Sequence, residues 1–92
     1  APRALSIWPN PSRGPLRLAF GPLGGDADLA ILDLAGRRVA TPWRGQSATP
    51  ITVQWSGARD DGTPLLSGIY YARVSSRNGV AFTRRIIVLE LA

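Results

Sequence analysis

Glycine and proline set the terms on which this chain can fold. Ten Gly and eight Pro are spread over 92 residues, and most fall between apolar runs rather than inside them. Gly loses the most backbone freedom in a regular element, and Pro can donate no ladder hydrogen bond. No segment carries the 3.6-residue apolar period of an amphipathic helix. What remains are short runs of period two, spaced as strands and turns are spaced. The expected class is all-β, an antiparallel β-sandwich of about seven strands in two sheets.

Ala1 to Ala4 reads as linker, and residues 5–92 as one domain. Leu5, Ile7 and Trp8 form a short strand that Pro9-Asn10-Pro11 stops. Leu16, Leu18 and Phe20 alternate with Arg17 and Ala19 as a half-buried strand does. Asp28 to Val39 reads as a hairpin around Leu34-Ala35-Gly36, with Gly36 left-handed. That register sets Asp33 opposite Arg37 and Ile31 opposite Val39. Thr41 to Pro50 reads as a long connection containing Trp43. Ile51, Val53 and Trp55 then alternate as a further strand.

Trp55 to Val74 is the stretch around which the core is expected to form. Trp55 closes one strand, a loop follows with Gly57, Asp60, Asp61, Gly62 and Pro64, and Tyr70 and Tyr71 open the next strand after Gly68. The last strand, Val80 to Leu91, follows a turn at Arg77-Asn78-Gly79. A two-residue loop there would oppose Arg73 and Arg84. A three-residue loop pairs Tyr70 with Ile86 and Val74 with Phe82, and brings Tyr71 within cation–π reach of Arg85. The three-residue register is preferred. It puts Arg84 on one face with Phe82 and Ile86, a conflict that a bulge at Arg84 or Arg85 would relieve. The expected structural core is Trp55, Gly68, Tyr70, Val74 and Phe82, with Tyr70 as a corner tyrosine.

Composition excludes several functions. There is no Cys and no His, so there is no disulfide framework and no nucleophile–base pair of the usual kind. Eleven Arg stand against six acids with no Lys, a net charge of +5. Complete use of Arg for Lys reads as codon bias rather than a nucleic-acid adaptation, since no basic stretch has a binding motif's context. No apolar run is long enough to span a membrane. The absence of Met argues that Ala1 is no natural start, so the expectation is a fragment of a longer or processed protein.

Candidate ligand sites are few. Asp60-Asp61-Gly62 with Asp26 or Asp28 could form half a calcium site, but the spacing of a Ca²⁺ loop is missing. Backbone N–H acceptance in turns is the preferred role for these aspartates. Trp43, in its loop, is the one tryptophan to weigh for a sugar; covering the sandwich edge is preferred. Arg17, Arg73 and Arg85 would form an outward stripe if their strands are neighbours, or simply protect a solvated face from pairing. No catalytic residue, cofactor or metal is expected.

Four motifs then carry a resemblance. Trp8-Pro9-Asn10-Pro11 resembles the Y-P-N-P opening of type IX secretion sorting domains. Leu29 to Val39, ending Asp33-Leu34-Ala35-Gly36-Arg37-Arg38-Val39, resembles their Y-D-x-x-G-R-x-V hairpin. Ser67-Gly68-Ile69-Tyr70 resembles their S-G-x-Y strand opening, and Thr83-Arg84-Arg85-Ile86-Ile87-Val88 their basic-then-apolar final strand. Trp55 to Gly62 is closer to the Ig-like domain of flagellar hook-capping proteins, and Arg stands where sorting domains usually carry Lys.

The resemblance implies an Ig-like, non-catalytic module at the C-terminus of an exported bacterial protein. It would pass through the periplasm and be secreted or held at the cell surface. Its partners would be the export machinery or the parent protein's other domains, with Gly79, Arg84, Arg85, Ile86 and Val88 as candidate sorting residues. The alternatives are an assembly module of the hook-cap type and a carbohydrate- or surface-binding module of a secreted enzyme.

Overall fold

The computed structural model describes residues 5–89 and contains seven strands. They are β1 (Leu5–Trp8), β2 (Leu16–Phe20), β3 (Asp26–Leu32), β4 (Arg38–Gln46), β5 (Ile51–Trp55), β6 (Gly68–Ser76) and β7 (Ala81–Val88). The expected linker and the chain end from Glu90 lie outside the described residues. Two antiparallel sheets form, one ordered β1-β2-β5 and the other β4-β3-β6-β7. This is an Ig-like sandwich in which the fourth strand pairs with the third, giving a three-plus-four division.

Period-two alternation builds the core. Leu16, Leu18 and Phe20 of β2 face Leu29 and Ile31 of β3 and Ala72 and Val74 of β6, all buried. Trp55 is buried at the end of β5, and its indole N–H donates to the Ala58 carbonyl at 3.1 Å. Tyr70 is buried near the start of β6, its hydroxyl donating to the Leu66 carbonyl at 2.9 Å. That is the geometry of a corner tyrosine: an apolar ring inside and a hydroxyl tied four residues back. Leu65 fills the core beneath the loop between β5 and β6.

Both predicted turns are present. Asp33 N–H donates to the Arg37 carbonyl and Gly36 N–H to the Asp33 carbonyl, each at 2.9 Å, with Gly36 at φ 83°. Asp33 and Arg37 also form an ion pair at 3.2 Å. At the other turn, Ser76 N–H donates to the Val80 carbonyl at 2.8 Å and Gly79 sits at φ 94°. The three-residue loop therefore sets the register: Tyr70 opposes Ile86, Val74 opposes Phe82 and Tyr71 opposes Arg85.

Several expectations need correction. Ile31 opposes Ala40 rather than Val39, because the β3–β4 ladder shifts register on either side of Ile31. The displaced backbone is satisfied by the β5–β6 loop: Asp60 N–H donates to the Val39 carbonyl at 3.3 Å, and Asp60 Oδ1 accepts the Thr41 N–H at 3.0 Å. Trp43 lies in β4, not in a loop. Pro42 is tolerated there because β4 is an edge strand. The Trp43 ring packs edge-on against Phe20, with centroids 5.3 Å apart.

Phe82 is 36% exposed, although it shares a face with buried Ile86. The β1-β2-β5 sheet has strands of four and five residues, too short to cover the far end of β7. Gly68 is exposed at the opening of β6 and is not part of the core. The β6–β7 register runs without a shift from Gly68↔Val88 to Ser75↔Ala81, so neither Arg84 nor Arg85 forms a bulge. None is needed, since Arg84 lies next to Phe82 at the uncovered end, where its head reaches solvent.

Candidate recognition surface

The predicted sorting residues fall on one hairpin. Gly79 occupies its turn, and Arg84, Arg85, Ile86 and Val88 stand on β7, an outer strand of the larger sheet. Alternation divides them. Arg84, Ile86 and Val88 share the inner face with Phe82, while Arg85 stands outside with Thr83 and Ile87. Ile86 is fully buried and Val88 packs against the core. Arg85 is exposed and Arg84 half-buried. The structure thus separates them into two apolar anchors, two cationic groups near solvent and one turn glycine.

An edge strand presents a row of unpaired backbone groups. Here half of that row is covered by the chain's own Pro-Asn-Pro segment. Asn10 Nδ2 donates to the Arg85 carbonyl at 2.9 Å, and Asn10 Oδ1 accepts the Ile87 N–H at 3.0 Å. Ser12 N–H donates to the Ile87 carbonyl at 2.8 Å, and Leu89 N–H donates to the Ser12 carbonyl at 2.7 Å. Ser12 thereby bridges Val88 in parallel, and its side chain is buried. Pro9 and Pro11 can donate no N–H, so the Asn10 side chain supplies the donor and the acceptor instead. From sequence this segment is a strand stop, and the clasp is not evident. Its signal was an amide side chain between two residues that lack donors.

The turn is tied down in the same way. Asn78 Nδ2 donates to the carbonyls of Leu23 and Gly24, at 3.1 and 3.2 Å. Arg77 N–H donates to the Asp26 carbonyl at 2.9 Å. The β6–β7 turn and the β2–β3 loop therefore close one end of the sandwich together.

Charge is distributed unevenly over the larger sheet. Asp28 on β3 pairs with Arg38 and Arg44 of β4 at 3.5 and 3.7 Å, and accepts the Ser75 hydroxyl at 3.1 Å. Arg73, Arg84 and Arg85 form no ion pair among the described residues. The β4 side is near neutral and the β6–β7 side carries uncompensated positive charge. Arg73 and Arg85 are on neighbouring strands, but Arg17 belongs to the other sheet, so the expected stripe has two members. Tyr71 and Arg85 are cross-strand neighbours. The expected cation–π contact between them is absent: the one ring interaction among the described residues is that of Phe20 with Trp43.

The aspartates act on the backbone. The Asp33 carboxyl is held below its ordinary value, first by the N–H of Arg37; loss of solvent opposes this, and the Arg37 charge and the Ala35 N–H add to the lowering. The Asp61 carboxyl is likewise lowered, first by the Thr63 hydroxyl and then by the Thr63 N–H. Asp60 serves the β4 irregularity. Among the described residues no group of three or more acids, His or Cys stands together as a metal would require. No helix of the described residues is long and apolar enough to cross a membrane.

Comparison with known proteins agrees with this geometry. Two Porphyromonas gingivalis structures share the fold. One is dimeric latent PorU, with TM-score 0.71 and 23% identity over 95% of this chain. The other is PorZ, a surface component of the type IX secretion system, with TM-score 0.64 and 24% identity over 94% of this chain. The chain spans 9% of the first and 11% of the second. A search among curated proteins found no match. Likeness at this identity shows the fold alone, and none of these matches supports the hook-capping half of the resemblance. The model of the secretion system C-terminal sorting domain matches residues 6–89, and the chain belongs to that family.

Proposed function

We propose that residues 5–92 are the non-catalytic sorting and surface-anchoring signal of a longer protein exported by a type IX system. The protein crosses the periplasm before it reaches the surface or the medium. The observation that carries this reading is the family match across residues 6–89, nearly the whole chain. Arg84 and Arg85 are the groups read by the export machinery. They are cationic, near solvent, without an ion pair among the described residues, and held by a strand that Ile86 and Val88 anchor in the core. Ile86 and Val88 fix that strand, and Gly79 fixes the turn before it.

A reporter fused to residues 1–92 tests the reading in a bacterium with a type IX system. The unmutated fusion reaches the surface or medium. Arg84→Gln with Arg85→Gln leaves the domain folded and reduces export. Gly79→Val abolishes both folding and export, because a β-branched residue is poorly tolerated at positive φ. Full export of the double Gln variant refutes the role given to the arginines. A parent fusion that stays in the periplasm refutes the sorting role and leaves an assembly module as the reading to pursue.

A further inference from the structure

The Pro-Asn-Pro clasp covers only half of the β7 edge. Arg85 C=O, Ile87 N–H and C=O and Leu89 N–H point away from β6 and meet Asn10 or Ser12. By the same two-residue alternation, the N–H and C=O of Ala81 and Thr83 and the N–H of Arg85 point the same way. Nothing among the described residues bonds to them. The open length is flanked on its inner face by exposed Phe82 and half-buried Arg84, and on its outer face by Arg85. Arg73, directly across from Thr83 on β6, adds a second outward charge. No acid occurs between residues 81 and 88, and none of these arginines has a carboxylate partner among the described residues.

We propose that Ala81–Arg85 accepts an extended, acidic segment of a partner protein as an added fifth strand of the β4-β3-β6-β7 sheet. Main-chain bonds to Ala81, Thr83 and Arg85 hold the segment, and its alternating side chains are sorted by face. Carboxylates on the outer face meet Arg85 and Arg73, and apolar side chains on the other face cover Phe82. A second copy of this chain is a poor occupant, since it brings its own Arg84 and Arg85 to the same edge and a net charge of +5 to the encounter. The inference deepens the recognition proposed above, rests on it, and adds the partner's chemistry and its mode of binding.

Amide hydrogen exchange, followed by NMR, tests it with a blocked synthetic peptide of alternating Glu and Val. At saturation the amides of Ala81, Thr83 and Arg85 slow by about tenfold or more, while those of β1 are unchanged. A Lys–Val peptide gives no protection. Thr83→Pro removes one outward N–H at a position where an edge strand tolerates proline, so the variant melts near the parent but loses the protection. Arg84→Glu with Arg85→Glu, which needs no proline, reverses the preference toward the Lys–Val peptide.

Absence of protection, protection elsewhere, or equal protection by both peptides overturns the proposal. Protection that grows with protein concentration without peptide assigns the edge to a second copy and also overturns it. The reporter fusion keeps the two readings apart. If Thr83→Pro exports normally while the double Gln variant does not, strand addition fails and arginine recognition stands. If both export normally, the recognition reading itself fails.

Discussion

Replacing Asn10 by Ala removes the side chain that clasps the β7 edge, and its effect can be worked from two bonds. The Asn10 amide donates to the Arg85 carbonyl at 2.9 Å and accepts the Ile87 N–H at 3.0 Å. Each hydrogen bond contributes about 0.5–1.5 kcal/mol net. Both lie in exposed surroundings, so water can replace part of what is lost, and the expected cost is about 1–2 kcal/mol in total. For a domain of this size that lowers Tm by roughly 4–16 °C. Urea unfolding should show a lower midpoint with an unchanged slope, because the surface exposed on unfolding is nearly the same. Hydrogen exchange supplies the local readout. The Ile87 amide depends on Asn10, whereas the Val88 amide faces β6, so the variant should speed exchange at Ile87 and spare Val88. An Asn10→Ala protein with the parent midpoint and an unchanged Ile87 amide would refute the clasp.

Three further outcomes follow from the core and the aspartates. Trp55→Ala should cost about 3–5 kcal/mol by opening the core and freeing the Ala58 carbonyl, which urea unfolding measures; a variant as stable as the parent contradicts the burial of Trp55. Asp33 and Asp61 have folded pKa values below their unfolded ones, so their stabilisation is present above the ordinary aspartate value and lost as pH falls below it through the lowered folded pKa. Tm should therefore decline at the acid end, and Asp33→Asn should flatten that decline; an unchanged acid limb argues against the Arg37 contacts. Thermal unfolding in EDTA and in millimolar Ca²⁺ should coincide, and a marked rise with Ca²⁺ would give Asp60 and Asp61 a metal-binding role instead.

What could be read from the sequence was local. The Asp33-to-Arg37 and Arg77-to-Gly79 turns lie within a few residues, and Gly at the left-handed position marks each one. Charge and apolar pairing then selected the β6–β7 register without any tertiary information. The errors came where a distant segment decides. The turn alone pairs Ile31 with Val39, but the β4 irregularity that moves it to Ala40 is stabilised by Asp60, 19 residues beyond Thr41. Pro42 and Gly45 look like turn residues and suggest a loop around Trp43, whereas β4 tolerates them as an outer strand. Phe82 has the right phase for the core, yet its burial depends on the length of the opposite sheet. The candidate arginines were legible as charge following a turn. Their lack of carboxylate partners among the described residues was not, since Asp28 could be allotted to Arg38 and Arg44 only once β3 and β4 were paired.

The clasp also orders events in time. Asn10 bonds to residues 75 and 77 positions later in the chain. A chain made or threaded from its N-terminus holds Pro9-Asn10-Pro11 early but cannot close the clasp until Ile87 has arrived. Until then the larger sheet lacks its outer strand, and Ile86 is missing from the core. Contacts of such long separation form late because the loop they close is almost the whole chain. The native sandwich is therefore a report of completeness. A receptor that grips only the closed form would pass finished chains and leave truncated ones behind.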